Sequence, residues 1–385
     1  MSEHCDIAII GGGPVGASLA LALSDSGLKI IVLEARKSEE KNADPRALAL
    51  SYGSRLLLDK LNVWKKIDHI SAIKTIHISQ KNTIGITLLF ASDMNVSELG
   101  YVLPYNALQT MLHKELLKTN VGNLECATVN RLESKAEGAT LIYQYEDREH
   151  QLKARLAVVA DGGKLLEESN PPNIRDYGQT AVIAHVTCTA VQPDTAFERF
   201  TTQGPLALLP YKEGYEIVWT GSHDQAKEML QWNDMTFLEM LHRHFGDSVG
   251  AFLSVGKRSS FPLRLKRSPE TTLPHTVLIG NAAQTLHPVA GQGFNLGIRD
   301  AWELARIILR TQPAEIGSAA MLKKYRSCRF IDRNAGIVFT DGLVRIFSND
   351  LPFFNKGRGL AISLLDRIPI AKRFIAKRMM FGANG

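Results

Sequence analysis

The period of the hydrophobic positions changes several times along the chain, and those changes divide it into elements. Asp6 to Ile10 reads DIAII, an apolar run of buried-strand length. A glycine-rich turn follows, and then ASLALALSDSG, a helix of small apolar residues with Gly27 where a C-terminal glycine stop belongs. KIIVLEA gives a second apolar strand that ends at Glu34. Strand, helix and strand in this order predict a βαβ unit of a parallel sheet buried on both faces. Helices are predicted over 45–66 and 105–118, with 73–90 between them alternating as a β-hairpin. LKARLAVVADGG (152–163) is another buried strand, ending in Asp-Gly. From 178 to 222 the segments QTAVIAHVTCTAV, ERFTTQGPLALLPY and YEIVWTGS predict an antiparallel sheet. A helix over 226–246, a strand at TVLIG (276–280) and a helix over 294–310 complete the pattern.

These elements predict an α/β (α+β) chain. A Rossmann-like nucleotide-binding domain in three pieces (1–72, 100–176 and 268–345) is interrupted by a mainly antiparallel β-sheet substrate domain (73–99 and 177–267). A basic helical tail (346–385) follows. The 385-residue length allows two or three domains. Phe200, Leu206, Leu208, Leu209 and Trp219 are the expected apolar walls of the β-rich part, most of them ordinary core.

Composition narrows the class. With 45% hydrophobic and 22% charged residues the chain is globular, and no apolar run reaches the ~20 residues of a membrane-spanning helix. Glu3, Asp6 and the glycines interrupt the N-terminal apolar stretch, so it does not read as a secretory signal. Cys5, Cys126, Cys188 and Cys328 are scattered with no CxxC spacing; no metal cluster is expected, and a reducing, cytoplasmic setting is. The net charge is +6, yet Leu351 to Gly385 alone carries seven Lys/Arg against one Asp. The basicity belongs to the tail and is no nucleic-acid footprint.

Gly11, Gly13 and Gly16 form G-x-G-x-x-G within GGGPVG, with Pro14 opening the helix and Glu34 closing the next strand. In that context the motif is a dinucleotide site. Gly11 permits the tight turn, Gly13 lets a pyrophosphate approach, and Gly16 lets helix and strand pack closely. Glu34 accepts hydrogen bonds from ribose hydroxyls and repels a 2′-phosphate. The spacing alone does not separate FAD from NAD.

VLIGNAAQTLHPVAGQGFNLGIRD (277–300) is a second strand–loop–helix anion site. In a flavoprotein the backbone N–H groups of Gly293, Phe294 and Asn295 would face the anionic reduced flavin. Gly280 ends the strand, Asn281 offers an acceptor to the ribitol chain, Pro288 stiffens the loop and Gly291 precedes the helix. Asp161-Gly162 is a third element, for which turn chemistry is a sufficient reading.

In this order and separation the three motifs resemble those of the group A flavoprotein monooxygenases of the para-hydroxybenzoate hydroxylase fold. HPVAGQGFNLGIRD (287–300) is similar to the signature of the ubiquinone-biosynthesis hydroxylases, and GNAAQTLHP (280–288) to those acting on 2-polyprenyl-6-methoxyphenol. DPRALAL (44–50), ERFTTQGPLALLP (198–210), GKRSSFPL (256–263) and TDGLVRIFSND (340–350) extend the resemblance from end to end. Two departures stand out: Asn281 replaces the usual acid of the GD motif, and ADGGKLL lacks the Ser and Arg that often follow the DG motif.

The resemblance implies a bound FAD, reduction by NAD(P)H as cosubstrate, addition of O₂ at flavin C4a, and transfer of one oxygen atom to a polyprenylated phenol. It places Arg46 near the flavin and Gln109 and Asp161 at the cofactor site. No base for the phenol proton is identifiable: His185 and His223 read as structural, and His287 is a weak catalytic candidate. Another ubiquinone-pathway ring hydroxylase, a flavin-dependent isoprenoid reductase and a non-enzymatic FAD-binding scaffold remain as alternatives. In the tail, Ile370, Phe374 and Ile375 interleave with Lys372, Arg373, Lys377 and Arg378 as a basic amphipathic helix. That helix suits contact with the inner-membrane surface or with another protein of the pathway, or packing on the core.

Overall fold

The computed structural model describes residues 3–37, 46–81, 85–287, 291–347 and 368–382. The chain opens with β1 (Glu3–Ile10), α1 (Pro14–Leu23) and β2 (Ile30–Glu34). β3 (Ala47–Ser51) runs into α2 (Tyr52–Lys60). Then come β4 (Ser71–Ile73), β5 (Thr75–Gln80), β6 (Ile86–Phe90), β7 (Gly100–Pro104) and α3 (Tyr105–Leu116). β8 (Gly122–Glu125), β9 (Thr128–Lys135), β10 (Gly138–Tyr145) and β11 (Arg148–Val159) follow. β12 (Asn173–Cys188), β13 (Thr195–Thr201), β14 (Gly204–Tyr211) and β15 (Gly214–Ser222) precede α4 (His223–Gln231) and α5 (Asp234–Phe245). β16 (Phe252–Val255), β17 (Ser259–Arg267), β18 (Thr272–Leu273), β19 (Thr276–Leu278) and β20 (Gln284–Thr285) lead to α6 (Gln292–Ile308), α7 (Ala319–Phe347) and α8 (Pro369–Phe381).

These elements build three sheets. The first has the order β18-β19-β11-β1-β2-β8, with the β9–β10 hairpin branching from β11; the run from β19 to β8 is parallel. Alternation along β1 sends Ile7 and Ile9 into a core shared with α1, α3 and α6, and Ala8 and Ile10 into a second core under β9 and β10. Burial on both faces is why the strand reads as an unbroken apolar run. The second sheet, β20-β17-β12-β15-β14-β13-β5-β6 with β16 beside β12, is antiparallel except at β13–β5. One face buries Val182, Leu206, Leu208, Ile217 and Trp219 against Phe237, Leu241 and Phe245 of α5. The third sheet, β3-β7-β4, is small and antiparallel.

Two sequence expectations change here. Residues 47–51 form β3 rather than the start of a helix, because ALALS pairs antiparallel with β7 from Ala47–Pro104 to Ser51–Gly100. Tertiary pairing outweighs the helix propensity of Ala and Leu. The helix expected over 226–246 is two helices. Asn233 caps the second through its side chain and the Thr236 N–H, and Ser222 starts the first in a capping box with Gln225. Phe200 and Leu209 lie on the sheet face opposite the Trp219 core.

Candidate functional site

The three motifs meet at the C-terminal ends of the parallel strands. Gly11 has φ +104°, and a Cβ there would lie 2.7 Å from the Ala160 carbonyl oxygen and 2.9 Å from the Asp161 nitrogen. A Cβ on Gly16 would overlap the Gly11 carbonyl, so α1 packs on the turn only because position 16 is bare. A Cβ on Gly163 would likewise lie 3.2 Å from the Ala282 Cα. Val15, in the first motif, fills the space left by Gly280 and Gly297, whose Cβ atoms would approach it to 3.2 and 2.9 Å. The glycine loop, the Asp-Gly turn and the 280–297 segment are thus mutually fitted.

The glycine loop is held on both sides. The Gly12 N–H donates to Glu34 Oε2 (2.8 Å), and the Gly12 carbonyl accepts from Gln109 Nε2 on α3 (2.9 Å). Glu34 Oε1 accepts from the Arg36 N–H (3.0 Å). Glu34 and Gln109 are both buried. Asp161 works inside its own turn: its two carboxylate oxygens accept from the Gly163 N–H (2.7 Å) and the Leu165 N–H (2.8 Å).

At this site the N-termini of α1 and α6 both lack a side-chain cap. α1 starts after Gly13 with Pro14 in its first turn, and α6 starts after Gly291, which is in the left-handed conformation. By contrast, Ser51, Ser222 and Asn233 cap α2, α4 and α5. A Cβ on Gly13 or on Gly293 would meet nothing within 4 Å. Both termini therefore present free N–H groups and a positive dipole end to open space, a suitable arrangement for anions.

Asn295 ties α6 to β3. Its Oδ1 accepts from the Ser51 N–H (2.8 Å), and its Nδ2 donates to the carbonyls of Ala49 (3.1 Å) and Gly291 (2.7 Å). Phe294 packs against the core beneath α1. Asn281 is exposed on the short turn that follows Gly280. Arg46 stacks its guanidinium on Phe261 (4.9 Å) and Tyr105 (5.5 Å) at the head of β3. His287 is fully buried, with its ring edge-on to Tyr177 at 5.3 Å, and burial lowers its pKa to about 4. Pro288 lies outside the described residues. His185 pairs with Glu216 (3.2 Å), and His223 with Thr180 (2.8 Å) and Asp176 (3.3 Å).

Sequence reasoning missed a buried ionic network beneath the loop. Asp300 Oδ2 accepts from the Gly280 N–H (3.1 Å) and Gln284 Nε2 (2.9 Å); its Oδ1 accepts from Arg329 Nε (2.7 Å). Arg329 also pairs with Asp332 (2.8 Å), and Asp332 with Arg299 (2.8 Å). Burial opposes the charge on Arg329, but Asp300 and Asp332 outweigh it and raise the pKa. The signal in the sequence was Asp300 itself, an acid among the apolar positions Ile298, Ala301 and Leu304 of this helix.

α8 packs beside the same helix terminus. Ala376 and Met380 are buried against Leu89 and Leu99, Gln292 Nε2 donates to the Met379 carbonyl (3.3 Å), and Gly53 makes room for the Met380 carbonyl. Between α8, the β5–β6 hairpin and the start of α6 lies an apolar pocket lined by Ile73, Ile76, Leu89, Leu99 and Met379, with Gln292 and Asn295 at one wall.

Comparison with known proteins agrees with this geometry. Residues 4–331 match the family model described as FAD binding domain. An uncharacterized protein of Synechocystis sp. is 33% identical over 99% of this chain and 94% of its own length. The ubiquinone hydroxylase UbiL of Rhodospirillum rubrum is 31% identical over 97% of this chain and 89% of its own. The crystal structure of p-nitrophenol 4-monooxygenase from Pseudomonas putida DLL-E4 superposes with a TM-score of 0.79 at 16% identity. It covers 99% of both chains, a likeness of fold.

Proposed function

The chain belongs to the FAD binding domain family, and from that premise we propose that it is an FAD-dependent monooxygenase. Its reaction is the hydroxylation of a polyprenylated phenol of the 2-polyprenyl-6-methoxyphenol type in ubiquinone biosynthesis, with NAD(P)H and O₂ as cosubstrates. The observation that carries the reading is the mutual fit of the three motifs around two uncapped helix termini, with Gly13 and Gly293 open to a ligand. The name of the Rhodospirillum rubrum relative supports the pathway.

The residues suit FAD. Gly11, Gly13, Pro14 and Gly16 would shape the turn for the pyrophosphate, Glu34 would meet the adenosine ribose, and Gln109 fixes the loop through Gly12. Asp161 holds the turn beside it. Gly280 and Asn281 would lie towards the ribitol, and Gly291 would shape the turn towards the ring. The N–H groups of Gly293, Phe294 and Asn295 would receive the pyrimidine edge of the ring, and Arg46 would stand near it. FAD, when bound, supplies electron storage and oxygen activation. This chain's own work is to bind the ring system, exclude water and orient the phenol.

The apolar pocket beneath α8 suits the prenyl chain. The first sheet with its helices forms the FAD-binding part, and the second sheet supplies the substrate side. On α8, Ile370 and Phe374 are 82% and 59% exposed, and Arg373 and Lys377 are exposed beside them at helical spacing. That face suits a peripheral contact with an anionic membrane, the source of a polyprenylated substrate.

The test is anaerobic reduction of the FAD-loaded protein by NAD(P)H with and without 2-polyprenyl-6-methoxyphenol, followed by air and mass analysis. A phenol heavier by one oxygen atom is the expected product. Reoxidation to peroxide with unaltered phenol overturns the substrate, and failure to hold flavin overturns the reading as a whole.

A further inference from the structure

The face of the second sheet opposite the Trp219 core carries Glu198, an acid that no group among the described residues neutralises. Along β13, Phe197 and Arg199 point towards α5, while Ala196, Glu198 and Phe200 point the other way. Glu198 lies between Ala207 on β14 and Ile78 on β5. The row continues through Val218 on β15 to Ile183 on β12. Ile78, Val218 and Ile183 are only half-buried, unlike the sealed core on the other face. Half-exposed aliphatic side chains in the middle of a wide sheet mark the wall of a hollow.

The hollow faces the cofactor side of the molecule. One row along, Ala196, Leu209 and Tyr211 are covered by Ile73 and Val102 of the small sheet, whose strand β3 is pinned to the start of α6 by Asn295. On the other side the face reaches Phe261, on which Arg46 stacks. Ile76, the neighbour of Ala196 across β5, lines the apolar pocket under α8.

Within this hollow we propose that Glu198 is the base that receives the hydroxyl proton of the phenol substrate. The inference rests on the reading of the protein as a phenol hydroxylase. The phenol O–H bond breaks, a new O–H bond forms on a Glu198 carboxylate oxygen, and the electron pair stays on the ring oxygen. The phenolate so formed is more electron-rich at the ring carbons that an electrophilic oxygen attacks.

Three observations support it. Glu198 makes no hydrogen bond or ion pair with any described residue. Glu198 is half-buried, and desolvation pushes its pKa up to about 7. Both hold for a carboxyl that looks into an enclosed hollow rather than into bulk water. The other titratable groups around it are committed elsewhere. Glu216 and His185 pair with each other, Tyr101 donates to Glu98 (2.8 Å), and Arg46 lies on its two aromatic rings. Tyr211, across the small sheet's cover, is held protonated by burial and by Glu216. A base with a pKa close to neutrality is suited to taking a proton from a phenol whose own pKa is ~10.

The experiment compares FAD-loaded wild type with Glu198→Gln and Glu198→Asp. In wild type, kcat/KM for 2-polyprenyl-6-methoxyphenol rises with pH through about 7 as Glu198 ionises. In Glu198→Gln that limb disappears and kcat/KM at pH 7 falls by roughly 10²–10⁴-fold, with FAD content unchanged. Glu198→Asp keeps a limb. A wild-type profile in Glu198→Gln overturns the proposal. Binding of a non-reacting phenol and of its methyl ether, read by quenching of flavin fluorescence at pH 8, needs no turnover. Wild type prefers the phenol and Glu198→Gln does not. Equal preference in the two proteins overturns the proposal even where no product forms, and absence of product from wild type counts against the functional reading alone.

Discussion

Gln109 holds the Gly12 carbonyl at 2.9 Å, so a side chain on α3 fixes the height of the glycine loop from the face opposite Glu34. Both side chains are buried, and the bond satisfies the carbonyl of a residue whose N–H is already bonded to the carboxylate. Gln109→Leu leaves the carbonyl unsatisfied at about the same volume. The expected cost is about 1–3 kcal/mol of stability together with weaker FAD retention. Urea unfolding of the apoprotein and FAD titration read the two effects separately. Stability loss with unchanged FAD affinity would mean that the loop keeps its shape without Gln109.

Gly13 and Gly16 separate binding from folding. Gly13 has φ −65° and ψ 175°, which alanine adopts readily, and its added methyl would meet no protein atom within 4 Å. Gly13→Ala is therefore expected to change apoprotein stability by less than about 1 kcal/mol while placing a methyl group where the pyrophosphate approaches, with FAD affinity falling at least tenfold. Gly16→Ala drives a methyl into the Gly11 carbonyl and is expected to destabilise the apoprotein by several kcal/mol or to prevent folding. Thermal unfolding of both apoproteins, with flavin titration of whichever folds, checks the contrast. An unstable Gly13→Ala apoprotein would assign that glycine to packing.

How much was legible follows from how local each signal is. The Gly11–Gly16 loop and Glu34 were readable because strand, turn, helix and strand follow within one short βαβ unit, and each glycine has a conformational or steric reason. The antiparallel sheet from β12 to β15 was readable because its neighbours are consecutive in sequence. β3 was not. ALALS becomes a strand only because β7, about fifty residues later in the chain, pairs with it, and because Asn295 accepts from Ser51. The partners of Asp300 were equally illegible, since Arg329 sits on another helix. Glu198 opens the segment ERFTTQGPLALLP and in sequence resembles any strand-edge acid. Its environment comes from β5, β14 and the small sheet, none of which marks the position in the sequence.

His287 gives the protein an acid-sensitive element. Burial holds its pKa at about 4, below the ordinary histidine value, so the folded state resists a proton that the unfolded chain accepts. The sign follows: the contribution is complete above pH ~6.5 and is lost as pH falls towards about 4. Over that window the loss is on the order of 3 kcal/mol. His287→Gln, which has no charge to acquire, is expected to flatten the fall of unfolding free energy between pH 6.5 and 4 by close to one proton in the slope. Chemical denaturation at several pH values measures it. Parallel curves for wild type and variant would show that other groups, His244 first among them since burial lowers it also to about 4, account for the acid loss.

The outward face of α8 tests the membrane reading without disturbing the fold. Ala376 and Met380 hold the helix to the hairpin, and Lys372 lies over Phe90 (5.7 Å) and near Asp93 (3.9 Å), so these residues anchor it. Ile370, Arg373, Phe374 and Lys377 share the other side and touch no core. Two apolar side chains inserted to the headgroup boundary contribute roughly 1.5–3 kcal/mol each when fully buried, and each nearby basic residue about 1 kcal/mol on an anionic surface. Ile370→Glu/Phe374→Glu removes the first contribution and adds like charge against the second. The double variant is expected to keep wild-type Tm and FAD content, because neither residue is packed. Its sedimentation with vesicles of phosphatidylglycerol and phosphatidylethanolamine should drop at least tenfold, and added salt should weaken wild-type binding through the basic residues. Turnover of a short-chain, water-soluble phenol should stay unchanged while turnover of a long-chain phenol presented in vesicles falls. Equal vesicle binding by variant and wild type would remove lipid from the account of this helix and leave α8 as the lid of the apolar pocket alone.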